Sequence, residues 1–120
     1  MNTTNDRQGV LQEVHEERSR QNVKWGEQNH PNGTGPHSIP LKAIEGGYAT
    51  PYANQLADLA TAATDRHAAD GRVTWSDILL EEVFEALAES DPARLRTELI
   101  QVAAVATQWV EAIDRRGANR

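Results

Sequence analysis

Residues 74–92 read TWSDILLEEVFEALAESDP, and this stretch decides the fold. Thr74 is a good helix N-cap, and Asp77 three residues on completes an acidic variant of the capping box. Trp75, Ile78, Leu79, Val83, Phe84 and Leu87 then recur at three- and four-residue steps, the signature of a helix with one apolar face. The helix is expected to end near Ser90. Asp91 caps the next helix, and Pro92 sits at its first position, where a missing N–H does no harm.

Outward from this junction the rest is helical too. Leu95, Leu99, Val102, Ala106, Trp109, Val110 and Ile113 give the fourth helix its buried stripe. Arg115 and Arg116 complement its C-terminal dipole, and Gly117 is expected to end it. The short link between the third and fourth helices makes them adjacent and antiparallel. A second helix is expected over residues 52–69, where Leu56, Leu59, Ala60, Ala63 and Ala68 form a face of mostly small residues and Gly71 is the stop. A first helix is expected over 6–24, with only Val10, Leu11, Val14 and Val23 as a thin apolar stripe that needs partner helices. Between the first two helices, residues 26–51 hold five of the eight glycines and four of the five prolines. Such density stops helix and strand alike. Loops this long are often lids or binding segments, and the segment also reads as a disordered surface insertion. Leu41, Ile44 and Tyr48 suggest that its later part packs. No stretch alternates with period two. The fold class is therefore all-α, four-helix bundle-like, with a long irregular loop between the first and second helices, in one domain over residues 1–120.

Composition narrows the chemistry. The 120 residues include no cysteine, so thiol nucleophiles, disulfides and thiolate metal sites are excluded. A net charge of −6 argues against a nucleic-acid partner, whose phosphates need Lys and Arg. No apolar run reaches membrane-spanning length, and the polar start lacks the apolar centre of a signal peptide. The expectation is a soluble, cytoplasmic protein.

Six of the 18 acids fall between Asp77 and Asp91. Glu81, Glu82, Glu85 and Glu89 stand three and four residues apart, on one side of the third helix, where like charges repel by about a few tenths of a kcal/mol per exposed pair. Antiparallel pairing brings Glu98 and Gln101 of the fourth helix towards Glu82 and Glu85. Carboxylates from two facing helices make a hard, oxygen-rich site suited to Mg²⁺ or Mn²⁺. The same run also reads as a solvated face, with Arg94 and Arg96 as neighbours for its charges.

Glu81-Glu82-Val83-Phe84-Glu85 followed by Glu98-Leu99-Ile100-Gln101 resembles the EExxE…ExxD signature of the all-α nucleoside triphosphate pyrophosphohydrolases. This superfamily includes MazG, dimeric dUTPases and phosphoribosyl-ATP pyrophosphohydrolases. Arg18-x-x-Gln21-x-x-Lys24-Trp25-Gly26-Glu27-Gln28 and Trp75-x-x-Ile78-Leu79-Leu80 are similar to stretches of MazG-like proteins from actinobacteria and their phages. The resemblance implies Glu82, Glu85, Glu98 and the fourth position as Mg²⁺ ligands, with Glu81 supporting the site or acting as base for the water. The fourth position departs from the signature: Gln101 stands for Asp, and its carbonyl can ligate but brings no charge. The implied activity is hydrolysis of the α–β phosphoanhydride of a nucleoside triphosphate. Arg18 and Gln21 are implied to face the substrate, Lys24 its phosphates and Trp25 its base; without the resemblance, Lys24 reads as a solvated helix end and Trp25 as a core anchor. Gln101 also motivates a second reading, a non-catalytic nucleotide-binding or interaction module. The thin apolar stripes of the first two helices suggest association into a homodimer or homotetramer, as in the relatives.

Other polar residues carry less. His30 and His37 have no third ligand nearby, and His15 and His67 read as structural. Gly33-x-Gly35 does not follow a strand and open a helix, so it is not a phosphate loop.

Overall fold

The computed structural model describes residues 3–41 and 51–118. Four helices follow in order: α1 (Thr3–Trp25), α2 (Ala53–Ala69), α3 (Trp75–Leu87) and α4 (Pro92–Ala118). Among the described residues there is no strand. The all-α fold class is therefore as expected. Boundaries move by a few residues, and one expectation fails: α4 runs through Gly117 to Ala118. A glycine near a helix end costs about 1 kcal/mol relative to Ala but does not by itself stop the helix.

The chain divides into two compact units. A central unit spans Asn32–Val105, and a terminal unit joins Met1–Pro31 with Ala106–Arg120; the division falls inside α4.

In the central unit α2 packs on α3. Thr64 Oγ1 donates to the Asp77 carbonyl at 3.3 Å, and His67 Nδ1 lies 2.8 Å from Asp77 Oδ2. α2 ends as its sequence demands. Gly71 takes φ 70°, a left-handed conformation open to glycine at little cost. Its N–H donates to Ala68 O at 3.1 Å and that of Arg72 to His67 O at 2.7 Å, the paired bonds of a Schellman stop. The capping box on α3 forms as read: Asp77 N donates to Thr74 Oγ1 at 3.2 Å, and Thr74 N to Asp77 Oδ2 at 3.0 Å. The Thr74 backbone bond and His67 together hold the Asp77 carboxyl below the usual carboxylate range. Asp91 caps α4, accepting from Arg94 N at 2.9 Å.

The loop after α1 contains a clamp. Gly35 N donates to Leu87 O at 3.0 Å, and Thr34 Oγ1 to Glu89 O at 2.6 Å, closing the carbonyl end of α3. Ala53 N donates to Ser38 O at 2.8 Å and Asn54 N to Pro36 O at 3.0 Å, closing the amide end of α2. Residues 34–38 thus satisfy two helix ends at once, which a disordered insertion does not do. Leu41 is 49% exposed, so it packs only partly; Ile44 and Tyr48 lie outside the described residues.

In the terminal unit α1 stops at Gly26, whose N–H donates to Asn22 O at 2.8 Å with φ 68°. Val10 and Ala112 are buried. So is Glu111, whose Oε1 accepts no hydrogen bond and lies 3.6 Å from Arg7 Nε.

The apolar faces are less covered than their periodicity implies. Leu95 and Val105 are buried, but Leu59, Leu99, Val110 and Ile113 are not, and no large described side chain is fully enclosed.

Candidate metal centre

Three carboxylates meet in the central unit. Glu82 and Glu85 stand three residues apart on α3, and Glu98 stands in the second turn of α4. Each offers an oxygen within 4.8 Å of the others, and all three are half-buried. The capping box at Thr74 fixes where α3 begins, and the Asp91 cap with Pro92 fixes where α4 begins. The two turns between them set which faces meet.

Electrostatics mark the cluster as strained in charge. Burial pushes the Glu82 carboxyl above its usual range, and the negative charges of Glu98 and Glu81 push it further. Glu85 is raised for the same reasons: burial first, then Glu82, Glu98 and Glu81. Loss of hydration and like charge both disfavour the ionised form, and a bound cation relieves both.

Gln101 reaches the same place. Its amide lies 3.1 Å from Glu82 Oε2 and 3.1 Å from Glu98 Oε2. With these two acceptors facing it, the NH₂ end donates to both; turned over, the carbonyl adds a fourth oxygen to the three carboxylates. Three carboxylates, one amide oxygen and water would complete the octahedral oxygen shell of Mg²⁺ or Mn²⁺, so the donor set fits such an ion.

Glu81 is placed differently. Thr61 Oγ1 of α2 donates to its Oε1 at 3.3 Å, so its carboxylate is bound to α2 and is not one of the converging three. Glu89 is occupied with the backbone, accepting from Asp91 N at 3.0 Å. Glu82 and Glu85 are half-buried beside Glu98, partly withdrawn from the solvent that a fully solvated face would give them. Thr61 was not singled out in the sequence, since a helical threonine has no local signal for a carboxylate on another helix.

The expected substrate residues lie in the terminal unit, on the last two turns of α1. Arg18, Gln21, Asn22, Trp25, Gly26, Glu27 and Gln28 line an open cleft of about 760 Å³. Arg18 donates to Gln21 Oε1 at 2.7 Å and to Asn22 Oδ1 at 3.2 Å. Trp25 is 56% exposed and so is no core anchor; the Lys24 ammonium sits 4.7 Å from the centre of its ring. Asn22 and Gln28 join the cleft without having been singled out in the sequence.

The histidines form no metal site among the described residues. His30 is paired with Gln28, and His37 packs edge-on against Tyr52. No helix of the described residues is long and apolar enough to cross a membrane. Searches of family models, curated proteins and solved structures found no match to this chain.

Proposed function

We propose that the chain is a Mg²⁺- or Mn²⁺-dependent hydrolase that splits a nucleoside triphosphate into monophosphate and pyrophosphate. The observation that carries this reading is the convergence of Glu82, Glu85 and Glu98, with the carboxyls of Glu82 and Glu85 pushed above their usual range by burial and by neighbouring negative charge. The EExxE…E pattern of these residues supports it.

When bound, the ion supplies charge neutralisation of the triphosphate and acidifies water. Glu82, Glu85 and Glu98 would hold it, with the Gln101 carbonyl as the neutral fourth donor. Glu81, hydrogen-bonded to Thr61 and next in sequence to Glu82, would accept a proton from the attacking water. The water oxygen bonds to the α-phosphorus, the α–β anhydride bond breaks, and its electron pair leaves with pyrophosphate. Arg18, Gln21 and Lys24 offer donors for an anion, and Trp25 offers a ring face for a base.

A second reading is favoured by Gln101. An amide whose NH₂ bridges Glu82 and Glu98 neutralises part of their repulsion without a metal, which suits a binding module that no longer turns over. One assay separates the two: pyrophosphate release from a panel of canonical and modified nucleotides with Mg²⁺ or Mn²⁺. Turnover lost in Glu82→Gln supports the hydrolase. No turnover in the parent, but turnover in Gln101→Asp, supports the binding module.

A further inference from the structure

The three carboxylates of the central unit face one another with no cation of the protein to balance them. Glu82 and Glu85 on α3 and Glu98 on α4 each bring an oxygen within 4.8 Å of the others. Among the described residues, no Lys, Arg or His forms an ion pair with any of the three. The neighbouring acids are held elsewhere. Glu81 accepts from Thr61 Oγ1 at 3.3 Å, which ties it to α2, and Glu89 accepts from Asp91 N at 3.0 Å, where α4 begins. The charge open to an ion at the cluster is therefore that of three carboxylates.

Gln101, three residues beyond Glu98 on α4, adds a polar group without charge. Its amide lies 3.1 Å from Glu82 Oε2 and 3.1 Å from Glu98 Oε2. The two ends of that amide have opposite character. The NH₂ donates to both carboxylates and so bridges α3 and α4. The carbonyl has nothing to offer a carboxylate, but it is a hard oxygen donor for a cation. A cation held by Glu82 and Glu98 repels the NH₂ and attracts the carbonyl. The last torsion of a glutamine is broad and nearly two-fold, so a half-turn exchanges the two ends in almost the same space.

Charge then decides how many ions stay. Three ionised carboxylates outweigh one divalent ion by a single negative charge, so the first ion is favoured. Two divalent ions outweigh the three carboxylates by a single positive charge. Ions that share such a site stand only about 3.5–4 Å apart, and their mutual repulsion is about four times that of two unit charges. A carboxylate at position 101 would balance the second ion; the amide does not. We infer that Gln101 makes this a one-ion site: it limits the cluster to a single divalent cation, whose entry turns the amide from bridging donor to oxygen ligand. The inference rests on the metal-dependent reading of Glu82, Glu85 and Glu98, and adds to it the number of ions and the group that each ion must displace.

The test counts ions on the full chain without nucleotide. Equilibrium dialysis against Mn²⁺, read by the electron paramagnetic resonance of the free ion, should give one Mn²⁺ per chain at saturation. Gln101→Glu keeps the side-chain length and adds the fourth charge. It should bind two Mn²⁺ per chain, the first on the order of 10-fold more tightly than the parent does. Because four carboxylates without the bridging NH₂ could keep that variant from folding, a second measurement uses the parent alone. The side-chain NH₂ of Gln101 is followed by ¹⁵N–¹H NMR as diamagnetic Mg²⁺ is added, and its signals should shift away from those of a carboxylate-bonded amide as the ion saturates. Two ions on the parent would overturn the inference and leave the metal reading standing. So would an unmoved Gln101 NH₂ at Mg²⁺ saturation, or a single ion on folded Gln101→Glu. Absence of saturable Mn²⁺ on the parent would overturn the metal reading itself, and this inference with it.

Discussion

In the central unit the helix ends are closed by named partners: Thr74 and Asp77 at α3, Asp91 at α4, Gly71 behind α2, and the 34–38 clamp across two more. In the terminal unit the described ties between α1 and the end of α4 include one ion pair, Arg7–Glu111, at 3.6 Å. The central unit gathers charge and holds it in place by hydrogen bonds; the terminal unit leaves apolar side chains facing water. The contrast teaches that position-specific polar bonds accompany the carboxylate cluster, whereas the terminal unit relies more on non-directional burial.

The contrast can be broken or sharpened by experiment. The largest effect is expected from Glu82→Gln, which should abolish saturable Mn²⁺ binding in calorimetry and lower pyrophosphate release by on the order of 10³-fold; unchanged cation affinity would sever the carboxylates from the proposed chemistry. Next comes Arg7→Ala, which leaves Glu111 buried without its cation and should cost about 1–3 kcal/mol in urea unfolding. The pair Arg7→Ala/Glu111→Leu should recover most of that, because an apolar side chain suits the position. Thr74→Ala should cost about 1 kcal/mol through the lost cap. Trp25→Ala, at a half-exposed site, should change stability by less than about 0.5 kcal/mol while altering ligand binding at the cleft.

The pH dependence bears on the same contrast. Glu82 and Glu85 have carboxyls raised in the folded state, so the folded protein holds protons more tightly there than the unfolded chain. Their contribution is present in full below the ordinary carboxylate range and is lost as pH rises through the raised folded values. Without metal, calorimetric scans should therefore show this contribution shrinking as pH rises above the ordinary carboxylate range, and Glu85→Gln should flatten the slope. Mg²⁺ should raise the melting temperature more at about pH 8 than at pH 5, since protons compete for the same oxygens. Asp77, held low, acts oppositely: its contribution is lost only as pH falls through a value below the ordinary 3.8.

Much of the central unit was legible because its signals are local. Thr74 with Asp77, Asp91 with Pro92 and Gly71 each act within a few residues, and short-range rules read them correctly. Glu82, Glu85 and Glu98 were legible because a short link forces α3 and α4 together. The 34–38 clamp was not, since backbone bonds from Gly35 to Leu87 leave no side-chain pattern to read. Nor was the orientation of α4: periodicity identifies Val110 and Ile113 as an apolar face, but it does not say which neighbour covers that face. Glu111 is the converse case, a charged residue turned inward by the rotation that turns Val110 outward.

The clamp carries a consequence for the order of folding. Thr64 and His67 reach Asp77 across 13 and 10 residues, whereas Thr34 and Ser38 reach the end of α3 across 55 and 49. Closing the longer loops costs more chain entropy before any bond repays it. The α2–α3 hairpin should therefore form in the folding transition state and the clamp after it. Substitutions at Thr64 should slow folding, and those at Thr34 should mainly speed unfolding. The segment that resembles an insertion is then the latch that closes last and opens first.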